Sequence, residues 1–381
     1  MSRARAVALL VGTTLAACGL DVVGVPPAGV AAGPTGEAGA SGTGTSSSSS
    51  GSPTEGGPGV DASDGAPAPC VASTDLQTNA DHCGACGHPC RGATCSGGVC
   101  APTIVMSGLS GPHGIALGPA DVYVAEHAGG RILRVPKATP GGGGTLVFDT
   151  KQAPRALTLA EGRLYWPEQT KLRSVKTSGL EETSRPLLEG NAVIVAGEDV
   201  YFNELGLGGA IWVSPLSLAD DHLVTGAASG SAGVAADADF VYWSESNNVS
   251  RRVRSFADQS ETWIPGEDGP ESVAIGGDRI FWAARTAIRA STRTATPAAA
   301  DLYAGLGRPR SLVHDGANLY WFDTVAKTLV RGSPSGGDAT KLVLARGVNQ
   351  EDVSLTTAIA TDDTWVYWLS SVDGTVSRVA K

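Results

Sequence analysis

Between Ile115 and Trp368 the chain states one phrase seven times: an aliphatic residue, an aromatic, then usually another large apolar residue. The aromatic anchors are Tyr123, Tyr165-Trp166, Tyr201-Phe202, Tyr242-Trp243, Phe281-Trp282, Tyr320-Trp321 and Tyr367-Trp368, at a mean spacing of about 41 residues. One position before the anchors stand Val122, Leu164, Val200, Val241, Ile280, Leu319 and Val366. Eight positions before them stand Ile115, Leu157, Val193, Val234, Val273, Leu312 and Ile359. All fourteen are aliphatic, so the register never slips. Each repeat therefore reads as an inner strand, a tight turn marked by Gly or Asp, and a second strand bearing the aromatic. A third strand follows, as at 131–135, and then an outer strand, as at 341–344. One such unit cannot bury both faces of its sheet, so neighbours must stack and the ring must close. The fold class is all-β, a seven-bladed β-propeller of four-stranded antiparallel blades over residues 103–381.

The ends of that region predict how the ring closes. The seventh repeat reaches Lys381 just after its third strand. Residues 103–108 (Thr-Ile-Val-Met-Ser-Gly) resemble the outer-strand segment 341–347 of the sixth repeat. They are expected to supply the outer strand of the last blade. The alternative is a plain linker and a three-stranded seventh blade.

Ahead of the repeats lie segments of other kinds. Arg3 and Arg5 precede an apolar stretch, Ala6 to Ala17, that is too short for a permanent membrane helix and ends in Leu15-Ala16-Ala17-Cys18. Residues 1–17 read as a signal peptide, and the Cys after the small residues resembles the bacterial lipobox. That resemblance implies a lipid on Cys18, an anchor in the membrane and, with Gly19 next, an outer-membrane location in the cell envelope. An ordinary secretory signal with a chance cysteine is the alternative. From Asp21 to Pro69 there is no aromatic residue, no Lys and no Arg. Such a stretch buries too little apolar surface to offset the entropy of ordering it, so 18–69 is expected to be a disordered tether. The formal charge of −10 offers no electrostatic footprint for nucleic acid.

Of seven cysteines, six lie close together: Cys70, Cys83, Cys86, Cys90, Cys95 and Cys100. In an exported chain an even set so spaced reads as three disulfides, which makes 70–102 a stapled module. The pairing is open. Zinc is the competing reading, because Cys83-Gly-Ala-Cys86 has metal-like spacing and His82 and His88 stand beside it. The stretch also resembles short Cys-Gly-rich segments of some bacterial surface lipoproteins, which implies a spacer or a small contact module.

The anchors themselves carry a family resemblance. Tyr165-Trp166-Pro167-Glu168, Tyr242-Trp243-Ser244-Glu245 and Tyr320-Trp321-Phe322-Asp323 resemble the YWTD repeats of lipoprotein-receptor propellers and, more loosely, NHL-type propellers. The chain departs from YWTD in favouring Glu over Asp, in lacking the Thr, and in having seven repeats rather than six. The resemblance speaks for the fold and does not imply equivalent partners.

Two positions in the repeat should face one end of the ring. Ten residues before the anchors lie His113, Arg155, Asn191, Ala232, Glu271, Arg310 and Thr357; three after them lie Glu126, Glu168, Glu204, Glu245, Ala284, Asp323 and Ser370. The inner and second strands run antiparallel, so both sets fall at the same end of each blade. The acids recur and are expected to be structural, each pairing with a neighbouring blade's Arg or accepting backbone hydrogen bonds in the next turn. Positions that vary between blades are better suited to a partner, which singles out His113, Arg155, Glu271 and Arg310. The favoured reading is a non-enzymatic binding or scaffold module for protein or glycan contacts, with no cofactor. Alternatively, Glu126, Glu168, Glu204, Glu245 and Glu271 with Asn191 would hold a divalent cation, Ca²⁺ or Mg²⁺, in a lactonase- or lyase-like enzyme. In keeping with that, Gly111-Pro112-His113-Gly114-Ile115-Ala116 looks like the start of a blade in the virginiamycin B lyase family. No nucleophile elbow, His-Glu-x-x-His motif or phosphate loop is present. His127 and His222 read as loop residues, and His314 as facing core or channel.

Overall fold

The computed structural model describes residues 70–206, 209–226, 228, 233–349 and 357–381. The expected signal segment, the expected lipid site at Cys18 and the tether expected up to residue 69 lie outside them. Apart from a short 3-10 turn at Asp338–Thr340, the named elements are strands, and no helix among the described residues is long and apolar enough to cross a membrane.

The strands form seven four-stranded antiparallel sheets, each ordered from inside to outside, beside one two-stranded hairpin. In the first blade they are Pro112–Leu117, Asp121–Glu126, Arg131–Pro136 and Thr145–Asp149. The seventh blade takes Ile359–Thr361, Trp365–Ser370 and Thr375–Ala380, and its outer strand is Thr103–Met106, which pairs Thr103 with Arg378 and Ile104 with Ser377. The ring closes as the sequence predicted, and the three-stranded alternative falls away. Val105 and Met106 on this strand are wholly buried, so closure is held by apolar packing as well as by backbone pairing.

The core is the pair of aliphatic columns. All fourteen residues are buried, and the seven directly before the anchors are each 0% exposed. Alternation along a strand sends the anchor aromatic to the opposite face, where Tyr165, Tyr201, Tyr242 and Tyr320 fill the gap to the next blade. Each such side chain contributes about 1.5–3 kcal/mol by leaving water. The outer edge carries its own regularity: in six of seven blades the pairing of third and outer strands is broken by a bulge, as at Ile132/Leu133 and Leu329/Val330. A bulge bends and twists an edge strand, which blunts it as a template for another chain.

Residues 70–100 are stapled by Cys70–Cys86, Cys83–Cys95 and Cys90–Cys100. This excludes the zinc alternative, because the thiolates it needs are consumed. His82 Nδ1 accepts the Gly87 amide (3.0 Å), and His88 lies between the carbonyls of Cys83 (2.6 Å) and Ala380 (3.3 Å). The module is docked on the ring. Cys83, Cys90 and Cys100 share one apolar cluster with Val105, Met106, Leu342 and Leu344. Gly84 comes so close that a Cβ there would sit 2.8 Å from a Leu342 methyl, and Arg346 reaches the Gly97 carbonyl.

Candidate functional site

Both polar series emerge at one mouth of the ring, as antiparallel pairing requires: Pro112 faces Glu126 and Pro309 faces Asp323. The acids, however, turn back into their own blades. Glu126, wholly buried, accepts the Ser110 amide (2.7 Å) and pairs with Arg131 (2.6 Å). Glu168 takes the Trp166 indole (2.9 Å) and Arg173 (2.8 Å). Glu204 takes the Leu188 amide and the Trp212 indole, both at 2.8 Å. Glu245 takes the Trp243 indole (2.7 Å), and Asp323 the amides of Gly307 (2.8 Å) and Ala326 (2.9 Å). Blade five has Ala284 at this position, yet the chemistry persists: Glu267, from the preceding link, accepts the Trp282 indole (2.7 Å) and pairs with Arg289. Each carboxylate thus satisfies donors of its own blade, on the second and third strands, in the turn between them or in the link that leads into the first strand. They are not gathered around a common point. Among the described residues the one cluster of three metal-type side chains is Cys83, Cys90 and Cys100, whose sulfurs are already in disulfides.

The inner series is also committed, mostly between blades. Arg310 grips Glu271 with two hydrogen bonds, 2.8 and 2.7 Å, across the junction of blades five and six. Two of the four varying residues singled out as partner contacts therefore hold each other. Burial raises the Glu271 carboxyl above its ordinary value, against the opposing pull of Arg310, Arg308 and Arg285. Arg155 pairs with Glu189 (2.9 Å), and Asn191 with Asn203, whose side-chain oxygen also takes the amides of Asn191 and Ala192. Ala232 lies outside the described residues. Thr357 ties three blades, its carbonyl accepting the Ile115 amide (3.1 Å) and its hydroxyl the Leu157 amide (3.3 Å). Gly114 permits that approach, since a Cβ there would lie 2.5 Å from the Arg155 carbonyl. His113 stacks face to face on His127, centroids 4.1 Å apart, and His127 reaches the Pro154 carbonyl (3.3 Å), bringing the pair beside Arg155. His127 is in a turn as expected, whereas His222 begins an outer strand.

Behind the mouth a channel cavity of about 1130 Å³ runs along the inner strands of blades three to seven, with walls of Val193, Val234, Val273 and Leu312. His314 faces it, settling the choice between core and channel, and lies over Gly276 and against Phe281. Burial lowers its pKa below the ordinary imidazole value.

The opposite face carries a device that sequence reasoning missed. Asp237, Asp315 and Asp362, each five residues before its anchor, accept two turn amides and the anchor Tyr hydroxyl. Each then takes a cation from the next blade: Arg293, Lys381 and Lys137 respectively. Asp199, two residues before its anchor, makes only the last part of this arrangement, joining Tyr201 and Arg254 between blades three and four. Burial pushes the Asp315 and Asp362 carboxyls up, but their hydrogen bonds together outweigh it and hold both below the usual value. The tyrosines respond in the other sense: burial, with the nearby Asp, pushes Tyr242 and Tyr367 up to about 12. The recurring Asp was a readable signal; its partner, up to 225 residues away, was not.

No protein-family model matches the chain, and no curated protein matches it. Solved structures do match in fold. The virginiamycin B lyase of Staphylococcus aureus superposes with a TM-score of 0.58 at 13% identity, over 71% of this chain and 95% of that one. A streptogramin B lyase gives 0.53 at 16%, over 73% and 96%. The hydrazine synthase of Kuenenia stuttgartiensis gives 0.54 at 12%, over 73% and 97%. At such identities the likeness is one of fold alone: a closed propeller.

Proposed function

We propose that the chain is an exported, lipid-anchored recognition module, held at the outer membrane through Cys18, whose propeller mouth contacts a protein or glycan. One observation carries this reading: the mouth's acids and arginines are already paired within and between blades, as in Glu271–Arg310 and Arg155–Glu189. A surface so organised is preorganised for contact, and binding it costs little side-chain ordering. The test is crosslinking capture on intact cells, wild type against Arg155→Glu/Arg308→Glu, both outside the core. A partner recovered by the wild type and lost by the variant supports the reading; equal recovery of every partner rejects the mouth. The anchor is tested separately by Cys18→Ser, which should release the protein from the membrane fraction.

A second reading, a metal-dependent lactonase- or lyase-like enzyme, draws on the stacked His113–His127 pair at the mouth. Calorimetric titration with Ca²⁺, Mg²⁺ and Mn²⁺ separates the two. Saturable heat that is lost in His113→Ala favours the enzyme, and no heat with unchanged melting removes it.

A further inference from the structure

At the face opposite the mouth, where blade seven meets blade one, a cleft of about 630 Å³ opens between Lys137, Asp362, Asp363, Trp365, Tyr367 and Arg378. That volume falls in the range of small-ligand sites. Its chemistry is mixed in a particular way. Two cations, Lys137 and Arg378, face two carboxylates, Asp362 and Asp363, so the formal charge of the lining sums to zero. The partly exposed Trp365 ring supplies apolar wall, with the wholly buried Tyr367 behind it. The Arg378 guanidinium lies 4.4 Å from the centre of the Trp365 ring and donates to the Lys137 carbonyl (2.9 Å), while its buried Nε has no hydrogen-bond partner. Lys137 and Asp362 are already engaged with each other as a latch, but Asp363, next along the turn, is exposed and available.

A strongly charged ligand gains nothing from a lining of zero net charge, and a purely apolar one would strip water from Asp363 and Arg378 without replacing it. A neutral molecule rich in hydroxyls satisfies both, because each hydroxyl donates to a carboxylate and accepts from a guanidinium. The Trp365 wall suits the flat, partly apolar face of a sugar ring. We infer that this seam cleft is a binding site for a neutral saccharide, with Asp363 and Arg378 as its polar contacts and Trp365 as its wall. It is separate from the mouth, and either site can fail without the other.

The experiment uses the full chain on an array of immobilised neutral disaccharides (cellobiose, maltose, lactose and chitobiose) beside sialylated and sulfated glycans. Binding to the strongest neutral probe is then followed in solution by tryptophan fluorescence. The expected result is saturable binding to at least one neutral probe. Asp363→Ala should weaken it tenfold or more at unchanged melting temperature, because that side chain is exposed. Trp365→Phe should weaken it too, and Arg155→Glu at the mouth should leave it unaltered. Failure to bind any neutral probe, preference for the acidic glycans, or full affinity in Asp363→Ala overturns the inference. Binding lost in Arg155→Glu but kept in Asp363→Ala overturns it as well and assigns the saccharide to the mouth.

Discussion

Replacing Lys381 by Met isolates one of the ties between blades. The Lys381 ammonium lies 2.5 Å from Asp315, whose side chain is only 6% exposed. Methionine keeps most of the aliphatic stem that packs near Tyr320 and removes only the charge. Asp315 is not thereby abandoned, for it retains the amides of Ala317 (3.0 Å) and Asn318 (2.8 Å) and the Tyr320 hydroxyl (2.8 Å). The cost is therefore that of one charge-assisted hydrogen bond, about 1.5–3 kcal/mol, rather than the roughly 3–5 kcal/mol of a buried charge stripped of its partner. In a domain of this size about 1 kcal/mol moves the melting temperature by roughly 2 °C, so the variant should melt about 3–6 °C lower at neutral pH. Lys381→Arg should recover most of it. The pH dependence has a definite sign. The folded carboxyl lies below its ordinary value of 3.8, so its stabilisation is complete above 3.8 and is lost as pH falls through the lowered folded value. Thermal melts of both variants across that range are the assay. The reasoning is refuted if Lys381→Met melts with the wild type at neutral pH, or if the gap stays constant once the carboxyl is protonated.

Three further outcomes follow from the same geometry. Met106→Ala on the wholly buried closing strand should cost about 2–5 kcal/mol by leaving a cavity, read as a large drop in the denaturation midpoint; a drop no larger than that of an exposed Ile104→Ala control would remove the closure strand from the stability of the ring. His88 is held below the ordinary imidazole value of 6.5, by burial first and against the pull of the Cys83 and Ala380 carbonyls, so docking of the module should be full above pH 6.5 and weaken as pH falls below it. Hydrogen exchange at Cys83 and Ala380 that stays flat between pH 7 and pH 5 would contradict this. Glu267→Gln should destabilise blade five by about 1–3 kcal/mol, because Arg289 loses its buried carboxylate, whereas exposed Glu198→Gln should cost far less of the global melt.

The fold could be read from the chain because packing is periodic. Val122, Leu164 and their five counterparts recur at one register, and a strand's alternation leaves a single way to bury them with the anchors. The site was legible only in position. The acids three residues after the anchors stood where they were expected, but the arginines that Glu126 and Glu168 take, Arg131 and Arg173, come from their own blades and not from a neighbour. The acids' indole partners were visible, since Trp166-x-Glu168 and Trp243-x-Glu245 place donor and acceptor two residues apart on one strand face. Glu267 was not, because it fills the place of Ala284 from another part of the chain. Nor could Glu271 and Arg310 be seen as partners: both vary between blades, and variability alone does not separate a ligand contact from a contact between blades. The disulfide pairing was one of fifteen and needed the folded chain to choose it.

Closing the ring with a strand from the far end of the chain also decides how the molecule carries tension. A pull applied at residue 70 does not stretch the segment that follows. The shortest covalent path to residue 100 crosses the Cys70–Cys86 bridge, the short backbone from Cys86 to Cys90 and the Cys90–Cys100 bridge, while Cys83–Cys95 cross-links the same loops. Force emerges at Ala101 and Pro102, directly ahead of Thr103–Met106. There it meets a strand paired to blade seven, flanked by a module gripping Leu342 and Arg346 of blade six. Two blades are loaded at once, and the load spreads around a hoop, where a free N-terminal strand would simply peel away.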